Sequence, residues 1–427
     1  MELSSERIIE IINSKYKINK TSQELLELAK STRNLLENII EPILENNYGT
    51  EQSNIDSHNP QLWEYGHVLF FIEKHALRHI INYNYPLNEN INNDIYDSYQ
   101  INSKDRRNAV MAPLEKLIEY KIYLFDYIVN LLSSPIELLS NHINYMIHFA
   151  LIHVHMHIES FLFTNQMVYK QLPSCFKYIK LDKPNNILKE ETIDINGYSF
   201  IQGNSDGYGF DNERPCFNVN VEDFKMNMYK TTFYQYTEFI KSGEYLNDDN
   251  WSPQGLRWRD SHKRTLPLYV ENDGDNNLFV SYFEHKIPIE NLYNHPIIHV
   301  SWYEAEAYCK WKKGHLMSET QYEYMAKKNI VDYEINSNYK NNWITPIKEK
   351  SIELFGNCWI WCKETIYPYD RFTIDPLYRE MSYPFFGFKK ICRGGAWCVP
   401  DDLIYPEYRN AQYPDCIKQY IGFYVVY

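Results

Sequence analysis

The chain has 427 residues, of which 44% are hydrophobic and 23% are charged, and its formal net charge at pH 7 is −13. This length predicts two or three domains with a sizeable core, and the acidic balance argues against nucleic acid or an anionic membrane as the main partner. The first seven residues contain no basic or apolar segment, and no run of about 18 apolar residues occurs. We therefore expect a cytoplasmic protein without a signal peptide or a membrane span.

Eight cysteines are scattered along the chain. Without a secretory signal, this pattern predicts free thiols in a reducing compartment rather than a disulfide framework. Cys358 and Cys362 have no second close pair to complete a tetrahedral site, so we expect no structural zinc.

The N-terminal part of the chain is predicted to form four helices. Apolar residues at helical spacing predict a first helix over residues 22–44, and Pro60 fits the first turn of a second helix, which carries His67. An Asn- and Asp-rich loop follows, and then a third helix over about 113–132 and a fourth over about 135–169. Four long helices with one long crossover favour a four-helix bundle, a fold that builds metal sites in its core.

Two histidines of the fourth predicted helix are candidate metal ligands. His153 and His157 are four residues apart, so on a helix they lie on one face, one turn from each other. A histidine from a neighbouring helix, such as His67, would complete a face of three nitrogens and leave positions open for a substrate and dioxygen. His155 points elsewhere and is expected to be structural. A chance pair in a chain with 14 histidines is the alternative at this point.

The residue pattern changes after Leu172. A polar stretch leads there into short strand-like segments with many aromatic residues, Gly and Pro. Helices are predicted near 233–241, 302–311 and 319–328. We therefore divide the chain as follows: a helical domain over 1–175, a linker over 176–194 and a mixed domain over 195–427.

Five ordered motifs stand out in the mixed domain: His295–Trp311, Leu316–Tyr324, Gly356–Trp361, Arg393–Trp397 and Gly422-Phe423. In this order and spacing they resemble the formylglycine-generating-enzyme (sulfatase-modifying-factor) fold, which is related to C-type lectins. Fold alone does not fix function.

One departure from that family concerns its copper chemistry. Formylglycine-generating enzymes need a cysteine pair just after the Arg-Gly-Gly motif. Here Cys398 lies one residue before the first position, and Leu403 and Ile404 occupy the region of the second. We therefore do not expect copper-dependent formylglycine chemistry.

Further motifs extend the resemblance to nearly the whole chain. They are Pro60-x-x-Trp63-x-x-x-His67, His153-x-x-x-His157-x-Glu159, Phe210–Pro215, Trp251–Trp258 and Asp375–Gly387. The chain resembles the ergothioneine and ovothiol sulfoxide synthases, which join a DinB-like helical domain to a mixed domain of this kind. The resemblance implies an α+β multidomain protein. Its DinB-like four-helix bundle would be followed by a C-type-lectin-like formylglycine-generating-enzyme fold.

The resemblance also implies a cofactor and a reaction. Enzymes of this family bind Fe(2+) through three histidines, which map to His67, His153 and His157. They use O2 to join a thiol sulfur to the imidazole carbon of histidine or trimethylhistidine, and they oxidise the sulfur to a sulfoxide. Glu159 matches the family signature at a position off the ligand face, so we expect it to orient a ligand rather than to coordinate the metal.

A tyrosine acts in this family as a proton donor near the metal. The segment from Ile366 to Phe372 falls where that residue is expected, and we take Tyr367 first and Tyr369 second. Some relatives use a tyrosine from the loop after the second bundle helix, which makes Tyr99 the rival candidate.

Three residues bear on the choice of substrate. Met156 stands where ergothioneine-type enzymes have Gln, and Met cannot donate a hydrogen bond, which puts specificity for trimethylhistidine in doubt. Asn410 matches a residue that contacts the histidine-type substrate. The charged pair that grips γ-glutamylcysteine in one subgroup maps near Gln412 and Cys416, neither of which carries the charge, so free cysteine is the more plausible thiol.

The partners expected are therefore small molecules: a histidine derivative, a thiol and O2, with no nucleic acid and no membrane. Two alternatives stay open. One is another iron-dependent oxygenase on the same scaffold, including one that uses a selenium analogue of the thiol. The other is a lectin-like binding protein that has lost catalysis.

Overall fold

A computed structural model of the protein describes residues 7, 10, 20–45, 59–79, 93–102, 104–134, 141–176, 178–205, 208–275, 277–328, 337, 339, 352–375, 377–378 and 381–427. The chain forms two compact units. The helical unit comprises Met1–Lys177 and Asp206–Tyr208, and the mixed unit comprises Tyr178–Ser205 and Gly209–Tyr427.

The described helices of the helical unit are α1 Ser22–Leu35, α2 Glu41–Glu45, α3 Gln61–His75, α4 Leu114–Ser133 and α5 Asn141–Val168. A π-helical turn, Leu36–Ile40, joins α1 to α2. Thr21 and Glu24 form a capping box, which satisfies free amide groups at the start of α1. Both α1 and α3 pack against α4 and α5, so the apolar stripes of four helices meet in one core.

Among the described residues, the end of the second helix differs from the predicted one. The predicted second helix reached about Asn82, whereas α3 ends at His75 and a 3₁₀ turn, Leu77–His79, follows it. The predicted start of the fourth helix at Pro135 lies outside the described residues, which resume at Asn141.

The segment 142–168 of α5 is long enough and apolar enough to cross a membrane. Its most apolar stretch of 18 residues has a mean hydropathy of 1.2. However, 83% of that stretch is buried within the protein. The core helix of a globular protein meets the same criteria of length and composition.

A buried ion network links α4 to the first two helices. The Lys121 ammonium, whose side chain is 2% exposed, lies 2.8 Å from Glu37 and 2.7 Å from Glu41. Glu41 also accepts a hydrogen bond of 2.7 Å from the Tyr65 hydroxyl of α3. Because a buried charge without a partner is costly, these contacts fix which faces of the helices meet.

The helices of the mixed unit are α6 Phe233–Lys241, α7 Pro253–Ser261, α8 Trp302–Trp311 and α9 Glu319–Lys327. Its strands are β1 Thr192–Ile195, β2 Ser199–Gln202, β3 Phe217–Asn220, β4 Phe224–Asn227, β5 Val270–Asn272, β6 Leu278–Tyr282, β7 His285–Pro288, β8 His315–Leu316, β9 Trp359–Thr365, β10 Lys390–Arg393, β11 Asn410–Gln412, β12 Ile421–Gly422 and β13 Val425–Val426. Three of these helices were predicted. Helix α7 was not, although Ser252 caps it and Pro253 occupies its first turn, a start signal that the sequence does carry.

The strands form small sheets with helices packed around them, which is an α+β architecture. Two four-stranded sheets have the orders β1-β4-β13-β8 and β11-β10-β9-β12, and a three-stranded sheet and a hairpin complete the set among the described residues. Among the strands that the structure describes, pairing is antiparallel except between β12 and β9. Since β10 is antiparallel to both β9 and β11, the end of β9, the start of β10 and the end of β11 meet at one edge.

Two buried arginines connect this sheet to α9. Arg393 of β10 is fully buried and lies 2.8 Å from Glu323 and 3.1 Å from Glu319. Arg409, just before β11, lies 2.7 Å from the same Glu319. Burial disfavours both charges, but the carboxylates outweigh it, and the pKa of each guanidinium is raised. The strands and the helix are therefore held by charge pairs as well as by apolar packing.

The Phe210–Pro215 motif anchors two other segments through buried carboxylates. Asp211 accepts hydrogen bonds from the Asp375 amide at 3.0 Å and the Ser382 hydroxyl at 2.6 Å. Glu213 accepts one from the Tyr405 hydroxyl at 2.7 Å and one from the Asn204 amide at 3.1 Å. Burial raises the pKa of Glu213 to about 7.

The raised pKa of Glu213 predicts a pH-dependent stability. The unfolded chain releases this proton near pH 4.5 and the folded chain near pH 7. The contribution of Glu213 is therefore fully present below the lower value and is lost as pH rises to the upper one, by about 3 kcal/mol. In Glu213→Gln this loss is absent. Urea unfolding at about pH 5 and about pH 8 should show the variant gaining stability relative to wild type at the higher pH.

Glu222→Gln, which changes an exposed glutamate, serves as the control and should not alter the slope. Parallel curves of stability against pH for wild type and Glu213→Gln would contradict this assignment.

Candidate metal centre

Helices α3 and α5 bring three histidines together in the helical unit. His67 of α3 and His153 and His157 of α5 each offer one nitrogen, and these nitrogens lie within 4.8 Å of one another. The ring centroids are 5.2 Å apart for His67 and His153, 5.0 Å for His67 and His157, and 4.6 Å for His153 and His157. His67 and His153 are buried, whereas the His157 side chain is 20% exposed.

Residues of α3 and of the following loop fix the His67 ring. Its Nδ1 lies 2.8 Å from the carbonyl oxygen of Tyr96, and its ring stacks on Trp63 at 5.0 Å between centroids. Trp63 in turn donates from its indole nitrogen to the carbonyl of Ile95. Because a carbonyl only accepts, Nδ1 carries the hydrogen and Nε2 keeps the lone pair that a metal needs.

A buried carboxylate fixes the His157 ring in the same way. Nδ1 of His157 lies 2.5 Å from Oε1 of Glu64, and Glu64 is 1% exposed. A carboxylate that accepts from one ring nitrogen orients a histidine and makes the other nitrogen a stronger ligand. The orienting role expected for Glu159 stays a prediction, whereas the contact of Glu64 with His157 was not predicted from the sequence. The available signal was its position on α3, one turn before His67.

His153 is placed by packing. Its ring stacks on Phe71 at 3.5 Å between centroids and 8° between planes, and Phe71 lies one turn after His67 on α3. Burial, and then the nearby His157, lower the pKa of both His67 and His153 well below the ordinary value. Both rings are therefore neutral at neutral pH, which is the form that binds a metal.

The neighbours of the triad on α5 face other surroundings. His155 is buried, and its Nε2 lies 2.9 Å from the Thr32 hydroxyl of α1, in agreement with the structural role expected for it. His148 stacks on Tyr208 at 4.8 Å within the same unit. Met156 is half-buried between His155 and His157, and its role in substrate choice stays a prediction.

The loop after α3 carries Tyr99, the rival candidate for the proton donor. Tyr99 is 48% exposed, and the Lys74 ammonium lies 5.6 Å from the centroid of its ring. Tyr96 of the same loop is buried instead, and its hydroxyl accepts a hydrogen bond of 2.8 Å from the Ala112 amide. The loop contacts the triad through the Tyr96 backbone, and the role of Tyr99 stays a prediction.

The other predicted site residues belong to the mixed unit. Tyr367 follows β9 and is 60% exposed. Tyr369 lies below Arg409, 4.1 Å from guanidinium to ring centroid, and its hydroxyl accepts from the Gln202 amide at 3.3 Å. Asn410 and Gln412 lie in β11, where Oδ1 of Asn410 accepts a hydrogen bond of 2.8 Å from the Ala411 amide. The assigned roles of these residues stay predictions.

All eight cysteines lie within the described ranges, and each is a free thiol there. Cys398, next to the Arg-Gly-Gly motif, is fully buried.

The donor set of the triad fits a transition-metal ion. Bonds of about 2.1 Å from a metal to imidazole nitrogen allow two ligands of one ion to be at most about 4.2 Å apart. The spread of the three nitrogens, at most 4.8 Å, is close to this limit, so small ring rotations suffice. Three neutral imidazoles suit zinc, copper, nickel or iron, and they leave coordination positions for other molecules.

The family of the chain follows from a match to the sulfatase-modifying factor enzyme 1-like domain, which covers residues 180–427. This match extends over more than half of the chain, and the chain belongs to that family. The α+β mixed unit is the part of the fold that the family describes.

Particular relatives share part of this sequence. Hercynine oxygenase of Mycolicibacterium thermoresistibile is 26% identical over 238 residues, which are 48% of this chain and 51% of the relative. Hercynine oxygenase of Mycobacterium tuberculosis is 26% identical over 231 residues, 48% of this chain and 52% of the relative. The chain thus spans about half the length of the curated relatives it matches. Among solved structures, PvdO from Pseudomonas aeruginosa is 17% identical with a TM-score of 0.37, over 57% of this chain and 98% of that one.

Glu64→Gln is predicted to weaken metal binding. The amide cannot accept from His157 as strongly as the carboxylate does, and loss of such a partner typically lowers affinity by about 10- to 100-fold. Competition with a chelator of known affinity, using Fe(II) or Co(II), measures the change. Glu73→Gln, on the same helix but paired with Arg78 and Tyr120, should leave the affinity unchanged. Equal losses in both variants would contradict a specific role of Glu64.

Gly66→Ala is predicted to weaken metal binding through Tyr96. A Cβ at Gly66 would lie 2.7 Å from Cζ of Tyr96 and closer still to two other atoms of that ring. The ring must shift, and with it the backbone carbonyl that holds His67. The same chelator competition should show a loss of affinity in Gly66→Ala, whereas adding this change to Tyr96→Ala should cost little more. An additive effect in the double variant would exclude the steric explanation.

Proposed function

We propose that the protein is a non-haem, Fe(2+)- and O2-dependent sulfoxide synthase. It would form a C–S bond between the imidazole of histidine or trimethylhistidine and a cysteine-type thiol. One observation carries the proposal: three imidazoles, two of them buried and neutral, offer nitrogens to one point from two adjacent helices. The membership of the mixed unit in its family and the similarity to hercynine oxygenases support the class of substrate.

The reaction balances without a further reductant. One imidazole C–H bond and one S–H bond break, and one C–S bond and one S–O bond form. Dioxygen supplies the sulfoxide oxygen and is otherwise reduced to one water. Iron bound at the triad would supply the activation of dioxygen and would hold the thiol as its thiolate.

The residues of the helical unit prepare the ligands for that ion. His67, His153 and His157 would hold it through three nitrogens. The Tyr96 carbonyl and Glu64 each accept a hydrogen from the far side of one ring, so two of the three imidazoles keep one tautomer and one orientation. We further propose that this unit is a DinB-like bundle, which is the helical partner that the resemblance implies.

Proton donation and substrate contacts fall to the other predicted residues. Tyr367 is the first candidate to donate a proton from its hydroxyl, Tyr369 is the second, and Tyr99 is the rival. Asn410 would contact the histidine-type substrate. The neutral side chain of Gln412 favours free cysteine over a dipeptide thiol, and a cytoplasmic location would keep such a thiol reduced.

The test is mass spectrometry of an aerobic reaction. The iron-loaded protein is incubated with cysteine and histidine, and separately with cysteine and trimethylhistidine. The expected product has the summed mass plus one oxygen and less two hydrogens. It should be absent with His157→Ala and present with His155→Ala, a matched histidine that lies off the triad.

Each other outcome has a definite meaning. Oxidation of cysteine alone would point to another iron oxygenase on this scaffold, including one that prefers a selenium analogue. A protein that binds no iron would overturn the proposal in favour of a lectin-like binding role.

A further inference from the structure

Three consecutive residues of the loop after α3 each contact one side chain of that helix. The loop residues are Ile95, Tyr96 and Asp97, and their partners on α3 are Trp63, His67 and Lys74. The first two contacts are hydrogen bonds to backbone carbonyls, and the third is an ion pair of 2.6 Å between the Asp97 carboxylate and the Lys74 ammonium. The partners on α3 are four and seven residues apart, which places them on one face of the helix. The loop is therefore fixed along α3 at three successive points.

The ion pair of Lys74 and Asp97 is largely shielded from water. Its side chains are 19% and 9% exposed, whereas those of Lys116 and Glu119, an ion pair on α4, are 47% and 63% exposed. Water screens an exposed pair, which then contributes little. A shielded pair is costly to break, because the remaining charge is left poorly solvated. We therefore expect Lys74 to hold Asp97 in one position.

Asp97 also organises the turn that follows it. Its second carboxylate oxygen accepts a hydrogen bond of 3.0 Å from the Tyr99 amide. Its carbonyl accepts hydrogen bonds from the amides of Gln100 at 3.0 Å and Ile101 at 3.1 Å. The Lys74 ammonium contacts the same turn, since it lies 5.6 Å from the centroid of the Tyr99 ring. The position of Asp97 thus determines the path of the chain from 97 to 101.

The position of Asp97 also determines the direction of the Tyr96 carbonyl. That carbonyl belongs to the peptide unit that ends at the Asp97 nitrogen, and this unit is planar. A rotation that displaces Asp97 therefore turns the acceptor of the His67 hydrogen bond. The Tyr96 hydroxyl, which accepts a hydrogen bond of 2.8 Å from the Ala112 amide, holds the residue on the other side of this peptide unit. Asp97 is thus the second fixed end of the unit that carries the carbonyl.

We propose that the ion pair of Lys74 and Asp97 positions the metal ligand His67. By fixing the Tyr96 carbonyl, the pair keeps the hydrogen on Nδ1 of His67 and leaves Nε2 for a metal. Lys74 and Asp97 are positioning residues, because they act through the loop backbone and contribute no ligand atom. The proposal rests on metal binding at the triad, which is part of the proposed function, and it is independent of the reaction.

The first test needs no metal and no turnover. Proton NMR of the metal-free, full-length protein labelled with [15N]histidine detects imidazole N–H groups that exchange slowly with solvent. The Nδ1–H signal of His67 is identified as the one that changes in Gly66→Ala, since that substitution displaces the Tyr96 ring. The signal of His157 is identified as the one that changes in Glu64→Gln.

The exchange rates of these two protons decide whether the ion pair acts on His67. In Lys74→Met and in Asp97→Asn the His67 proton should exchange with solvent several-fold faster, while the His157 proton keeps its rate. Lys74→Arg retains the charge and should behave like wild type, and Lys116→Met breaks an exposed pair and should change neither rate. A lower free energy of unfolding without faster exchange of the His67 proton would assign the ion pair to the fold alone and overturn the proposal.

The second test separates positioning from the electric field of the pair. Lys74→Met leaves an added negative charge near the centre, and Asp97→Asn leaves an added positive one. A field effect alone would therefore raise the affinity for a divalent ion in the first variant and lower it in the second. Positioning predicts a loss in both. Because loss of a direct partner of a ligand costs about 10- to 100-fold and the ion pair acts one contact further away, we expect a loss of about tenfold or less.

Competition with a chelator of known affinity, using Co(II), measures these changes. The double variant Lys74→Met/Asp97→Asn should lose little more affinity than either single variant, because both remove the same contact. Opposite changes in the two single variants, or an additive loss in the double variant, would overturn the proposal.

The outcomes separate the ion pair from the reaction. If the sulfoxide forms but the His67 proton exchanges at the wild-type rate in Lys74→Met and Asp97→Asn, the reaction stands and the positioning role falls. If no iron binds or no sulfoxide forms, but the His67 proton alone exchanges faster in both variants, the ion pair positions His67 and the proposed function falls.

Discussion

The close approach of α3 and α5 depends on hydrogen-bond partners for the N–H groups of the buried imidazoles. Three rings with centroids about 5 Å apart would repel one another if charged, and burial makes the charged form costlier still. Neutral rings avoid that cost, but each then needs a partner for its N–H group. The Tyr96 carbonyl and Glu64 provide two such partners. The close packing of α3 and α5 therefore requires the loop after α3 and the polar residues of α3, which accept these hydrogen bonds.

A metal at this point would link the folding of distant parts of the chain. His67 and His157 are separated in sequence by about half of the helical unit. A ligand that binds only the folded arrangement stabilises it by mass action. Metal binding would therefore raise the stability of the folded helical unit, and unfolding of the unit would release the metal.

The mixed unit uses charge for a different purpose. Arg393 and Arg409 share Glu319, which ties β10, the residue before β11 and α9 into one rigid network. The sheet edge that carries Gln412 and Tyr367 extends from these anchored strands. Side chains placed on such elements keep their geometry better than those on long loops. The buried carboxyl groups of the Phe210–Pro215 motif hold adjacent segments through hydrogen bonds.

Elements with a local sequence signal could be predicted from the sequence. The spacing of four residues between His153 and His157 places both on one helix face. Three helices of the mixed unit lie where the spacing of apolar residues predicted them. The role of Glu64 could not be predicted, because its contact with His157 depends on the register between two helices. Tyr96 was missed because a backbone carbonyl has no sequence signature. Helix α7 has a clear start signal but too little apolar periodicity.

The stacking of Trp63 below His67 has an optical consequence. Trp63 is the only tryptophan in residues 1–177, and its ring lies 5.0 Å from that of His67. Transition ions with unfilled d shells quench indole emission efficiently at such short range. In an excised helical unit that folds, the fluorescence of Trp63 would therefore show whether the histidine cluster holds a metal ion, without an added label.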